Sequence, residues 1–192
     1  MKLLTAAIFT ALTVMLPVPS ASVQKEEIPK SIPDSIGFTL GWAEKGFLSV
    51  VEAMPESKYS YIPNSGNFDG VRSFGEHVKH VACAQFAFFN EIEGKTPPDH
   101  CEKGGPSKAA TKAELIKYLR DSFDYGDHVL ATFTAQNLLD RVEGRYAGPN
   151  TRLGMAMAAI WHITDHYGQL VVYLRLNGIV PPITQQYPLK VR

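Results

Sequence analysis

Two histidines, His162 and His166, lie four residues apart in the run W-H-I-T-D-H-Y-G-Q over residues 161–169. On an α-helix that spacing puts two imidazoles one turn apart on the same face, so both can reach one metal ion. The zinc-binding helix motif H-E-x-x-H uses the same spacing. Here its second position is Ile163, so the glutamate that acts as general base in that motif is missing and a metalloprotease of that kind is disfavoured. Two more histidines, His77 and His80, lie upstream in S-F-G-E-H-V-K-H-V-A over 73–82. On a helical wheel they fall between an apolar stripe and a strip of small residues, Ser73, Ala84 and Ala87, which leaves room for something between helices. The wheel does not decide between His77 and His80, since both can point inward. Three neutral imidazoles with one open position form a site that can activate water or take up an incoming ligand.

Other chemistry-bearing residues are weaker candidates. His128 beside Asp127 reads as a partly exposed helical histidine, and His100 beside Cys101 lacks further ligands for a Cys/His site. Asp124-Tyr125 fits a cavity wall and a solvated helix flank equally well. No Ser/His/Asp set, glycine-rich phosphate loop or pair of catalytic carboxylates stands out.

The elements that must position the histidines are helices. From Ile36 to about Met54, Phe38, Leu40, Trp42, Phe47, Leu48 and Val51 recur at mainly helical spacing until Pro55 ends the run. A second helix is expected from Ser73 to about Glu93, with Ser73 and Glu76 at capping-box spacing and Gly94 as its stop. A third starts at Ser107 or Thr111, where Glu114 matches a capping box to Thr111, and carries Leu115, Leu119, Val129, Leu130 and Phe133. The fourth runs from near Thr151 to Asn177, with Gly178 and then Pro181-Pro182 beyond it. Its wheel gathers Met155, Ala159, His162, His166, Gln169 and Tyr173 within about a third of the circumference. No segment alternates with period two for long enough to define a sheet. The expected fold is all-α, a four-helix bundle with long connecting loops, and bundles place metal ligands on facing helices.

These residues resemble the DinB-like superfamily, four-helix proteins related to YfiT-type metal hydrolases and to thiol-dependent S-transferases. The resemblance rests on F-G-E-H-V-K-H-V-A at 74–82, H-I-T-D-H-Y-G-Q at 162–169, and a first helix ending in Met54-Pro55 followed by Tyr59-Ser60-Tyr61. It spans about residues 36–182. In that family one histidine near the start of the second helix joins two from the last helix to bind a divalent metal. The resemblance therefore implies His80, the histidine followed by V-A, together with His162 and His166 as metal ligands. His77 then becomes a neighbour of the ligands or a surface residue, and Gln169 a hydrogen-bond partner for a ligand imidazole. Tyr167 stands where many members carry arginine, which leaves the ligand pattern intact. The metal is a divalent ion, with zinc or nickel the first choices, since three imidazoles suit several metals. The implied activity is a metal-dependent transfer involving a small-molecule thiol, or a hydrolysis. The alternatives are a metal-binding or stress-related bundle without catalysis, and a structural protein retaining an ancestral site.

Composition narrows the rest. Nineteen basic residues balance nineteen acidic ones, and no basic block exceeds two residues. Nucleic acid, which requires a concentrated positive field, is thus not an expected partner. Residues 1–22 read as a signal peptide, with Lys2 before the apolar Leu3 to Leu16 and Ser20-Ala21-Ser22 at the cleavage site. That apolar run is shorter than the ~20 residues that span a bilayer, so no stable membrane anchor is expected. The reading is therefore of an exported protein, periplasmic or secreted, with an extended lead-in over 23–35, the bundle over 36–182 and an irregular tail over 183–192. Export permits a Cys83–Cys101 disulfide, although two separate thiols fit the sequence equally well. The fourth helix is apolar around most of its circumference, including Trp161 and Val172. That implies a second buried face, such as a homodimer interface.

Overall fold

The computed structural model describes residues 28–187; the expected signal peptide lies outside them. Four long helices dominate the described residues: α1 (Ile32–Ala53), α2 (Phe74–Ile92), α3 (Lys112–Leu130) and α4 (Arg152–Leu176). A short α5 (Pro182–Gln186) follows, and one antiparallel pair, β1 (Arg141–Val142) and β2 (Asn150–Thr151), ties the α3–α4 connection together. This is the expected all-α bundle. Its core is built by Leu40 and Phe47 of α1, Met54 just beyond it, Phe74 and Phe89 of α2, Leu119 of α3, and Met155, Ile163 and Leu170 of α4, all essentially without solvent contact.

Local chemistry sets most boundaries. At α2, Ser73 Oγ accepts from Glu76 N–H while Glu76 Oε2 accepts from Ser73 N–H at 2.7 Å. At α3, Thr111 and Glu114 form the same reciprocal pair, which selects Thr111 over Ser107 as the start. Each box satisfies two amide donors that a helix start otherwise leaves bare. Gly94 (φ +69°) and Gly178 (φ +73°) take the left-handed conformation that closes α2 and α4.

Two boundaries differ from expectation. The lead-in is shorter, because α1 begins at Ile32 with Ser31 accepting from Asp34 N–H at 3.2 Å. Pro33 falls in the first turn, where its missing N–H leaves no helical bond unmade. The tail is also less irregular than expected, since Pro182 opens α5.

Candidate metal centre

The helix pair α2–α4 carries all four histidines of interest. Ala84 on α2, one turn beyond His80, and Ala159 on α4, three residues before His162, are both small and buried. Gln85 on α2 donates to the Ala159 carbonyl of α4 at 3.3 Å. The capped start of α2 places His77 and His80 in its first two turns, where they meet the middle of α4.

His80, His162 and His166 each present a ring nitrogen, and these three atoms lie within 4.8 Å of one another. Among the described residues no other group of three or more histidine, cysteine or carboxylate side chains converges in this way. His80 Nε2 and His162 Nε2 are 3.1 Å apart. Two nitrogens bound to one tetrahedral zinc lie about 3.3 Å from each other, so this pair already has the separation of shared ligands.

The protons are readable. His80 Nδ1 lies 2.6 Å from the Cys101 carbonyl oxygen. A carbonyl only accepts, so Nδ1 carries the hydrogen and Nε2 presents a lone pair towards His162. His162 Nε2–H then donates to that lone pair, and His162 Nδ1 is left buried without a partner. His80 Nε2 would hold a divalent ion as it stands, and His162 would do so through Nε2 in the tautomer with its hydrogen on the buried Nδ1. Three imidazole donors in this arrangement can hold a divalent ion.

Electrostatics keep the rings in the ligand form. Burial, first of all, and then the positive charge of neighbouring rings and of Arg72 depress all four histidines. His77 falls to about 4, His162 to about 3 and His166 to about 2. His80 is lowered as well, against the pull of the Cys101 carbonyl, which favours its protonated form. Neutral imidazole is the metal-binding species.

The structure brings His80, His162 and His166 together and adds His77 beside them. The surface alternative for His77 is corrected: its side chain is buried, its Nδ1 is 3.0 Å from His166 Nδ1, and its ring meets Tyr173 edge-on. Gln169 does not serve a histidine. It is exposed and donates to Asp165 one turn back, because helical rotation carries it past the α2-facing side. His128 is exposed and caps the Asp124 carbonyl, His100 is exposed beside Glu102, and the Tyr125 hydroxyl is taken up by Asn90 and Glu93. Three contributors were not anticipated from sequence: the Cys101 carbonyl, the Phe88 ring edge-on to His162, and the charge of Arg72. Cys83, three residues after His80, was the available signal for the first.

Cys83 and Cys101 form a disulfide, with Cα atoms 5.2 Å apart, settling the alternative left open by the sequence.

Comparison with known proteins places the chain. The model of the DinB superfamily matches residues 39–170, and the chain belongs to that superfamily. Similar solved structures include a DinB-like protein from Bacillus cereus (16% identity, TM-score 0.62, covering 81% of this chain and 98% of that one). A DinB-like protein from Bacillus subtilis shares 21% identity at TM-score 0.58, covering 75% and 92%. A conserved protein from Enterococcus faecalis shares 19% identity at TM-score 0.61, covering 76% and 96%. At these identities the likeness establishes the fold. No protein of curated function matches the chain.

Proposed function

We propose that this protein binds one divalent ion, zinc or nickel, between α2 and α4 through His80, His162 and His166, and uses it in a transfer or hydrolysis reaction outside the cytoplasm. The observation that carries the reading is the convergence of three neutral imidazoles with an assigned lone pair on His80 Nε2. A bound divalent ion would supply Lewis-acid activation of a thiol or water. The protein's part is to hold the imidazoles neutral by burial, to orient His80 through a backbone carbonyl, and to shield the cluster with Phe88 and Tyr173. Arg72 adds a positive charge felt by every ring, which favours an anionic substrate such as a thiol in its thiolate form.

A non-catalytic metal-binding protein is the second reading. It is favoured by the absence of any carboxylate in the histidine cluster and by the grooves flanking α1, neither of which is lined by a histidine. The Cys83–Cys101 bridge supports export, since such bonds persist in oxidising compartments. Among the described residues no helix is long and apolar enough to cross a membrane. Exposed Met157, Trp161, Val172 and Leu176 share one face of α4, and with Phe38 and Trp42 of α1 they support a homodimer.

Metal analysis of tag-free protein tests the central claim. About one divalent ion per chain is expected, with none after His80→Ala, His162→Ala or His166→Ala. Ion retained in all three variants would refute the assignment. A thiol-transfer or hydrolase activity lost in the same variants separates the enzyme from the binding protein.

A further inference from the structure

The segment 96–106 contributes no side chain to the histidine cluster, yet it is the part of the protein that orients one of its members. Cys83 stands one turn beyond His80 on α2, and its disulfide partner Cys101 opens a 3-10 turn, Cys101–Lys103. Both cysteines are buried. The Cys101 carbonyl accepts two hydrogen bonds: from Gly104 N–H within the turn at 2.9 Å, and from His80 Nδ1 at 2.6 Å. Both lone-pair directions of that oxygen are thus used, and its position is set by the turn and by the bridge together. The turn needs unusual backbone to lie this close. His100 (φ 58°), Gly104 (φ +87°) and Gly105 (φ +73°) are all left-handed, and a Cβ at Gly105 would collide with Cys83 Sγ. From the other side, Arg72 donates to the Glu102 carbonyl through Nη2 at 2.8 Å.

We propose that the disulfide-anchored carbonyl of Cys101 is a positioning group for the metal site: it fixes the tautomer and ring plane of His80, so that metal affinity depends on the closed Cys83–Cys101 bridge. This rests on the assignment of His80 as a ligand. The covalent ring spans a sequence separation of 18 and ends within a turn of the ligand itself. Opening it frees the 3-10 turn to leave α2, and the imidazole loses the acceptor that keeps its proton on Nδ1. Outer partners of metal-bound imidazoles are worth roughly 10–100-fold in affinity. The bridge therefore couples the metal site to an external dithiol reductant: the dithiol closes to its own disulfide, its two electrons and two protons convert the Cys83–Cys101 bond to two thiols, and the ligand loosens.

The test compares zinc affinity, by competition with a chromophoric chelator, in the wild-type chain, in Cys83→Ser/Cys101→Ser, and in Leu119→Ala. The last variant destabilises the core at a buried side chain of α3, an element that contributes neither the turn nor a histidine of the cluster. Affinity should fall roughly 10–100-fold in the bridge-free variant and stay at the wild-type value in Leu119→Ala. The cobalt-loaded bridge-free protein should also show altered visible absorption bands, a signature that general destabilisation does not move. Where the bridge-free variant fails to fold, zinc-loaded wild type treated with a water-soluble phosphine provides the same reading. The phosphine takes oxygen from water to become its oxide while the two hydrogens of that water go to the two new thiols, and zinc release to the chelator should accelerate about tenfold. Equal affinity with and without the bridge, or unchanged release on reduction, overturns the proposal. Zinc binding by none of the proteins, wild type included, overturns the metal assignment as well and is distinguished by that result.

Discussion

Two of the places where this bundle buries ionisable groups differ in kind. Between α2 and α4, four imidazoles face one another at hydrogen-bond distances. On α1, Glu44 is buried with Oε1 unpartnered, and its pKa is pushed up to about 8 by burial, reinforced by the negative charges of Asp127 and Asp124. Both places cost folding free energy, because charged forms are expensive away from water. Only the first offers convergent lone pairs, so only the first has a ligand that could return that cost. Burial of a polar group does not define a site; convergence does.

The largest expected effect sharpens this contrast. Zinc at roughly a thousand times its dissociation constant adds ~4 kcal/mol to stability, raising the thermal midpoint of a chain this size by roughly 8–16 °C. The shift should vanish in His162→Ala and persist in Glu44→Gln. A shift of equal size in both variants breaks the distinction.

Proton linkage should divide the two places by sign. The histidines have folded pKa values below the unfolded value of about 6.5. Below that pH the unfolded chain takes up protons that the folded chain refuses. The metal-free protein should therefore hold its full histidine contribution above pH ~6.5 and lose stability as pH falls, by up to ~1.4 kcal/mol per unit for each ring that stays neutral. Glu44 works the other way. Folded protein keeps the proton that the unfolded chain releases, so stability falls as pH rises from about 4.5 towards about 8. Denaturant midpoints across this range should show both limbs, with Glu44→Gln removing the alkaline one alone.

Replacing Glu44 by leucine should stabilise the protein at pH 8 by ~1–4 kcal/mol, as apolar replacement of buried charged groups commonly does. A loss of stability there would mean that Glu44 has a partner the geometry does not show. The smallest effect belongs to His77→Phe. Zinc should still bind, but roughly tenfold more weakly, because His166 loses the neighbour of its Nδ1. Complete loss of the ion would promote His77 to a ligand.

Much of the frame was legible in the sequence, and what was not has physical reasons. The capping boxes at Ser73/Glu76 and Thr111/Glu114 are local chemistry, so sequence marks them directly. The start of α1 was misplaced because Pro33 reads as a breaker until it is known to occupy a first turn. The pair His162/His166 follows from helical periodicity alone. His77 and His80, about 60° apart on a wheel, both lie on the α4-facing side, and no rule of spacing says which nitrogens end closest. The acceptor for His80 was invisible because a backbone carbonyl has no letter of its own.

The protein's two tryptophans, Trp42 and Trp161, are 72% and 67% exposed on α1 and α4. Their indoles are already wetted in the folded monomer, so unfolding should change the colour of their emission little. Pairing of the α1–α4 faces would dry them. If the proposed homodimer forms, intrinsic fluorescence of this chain should follow concentration more closely than denaturant, with a blue shift marking association; no shift with concentration would overturn the homodimer.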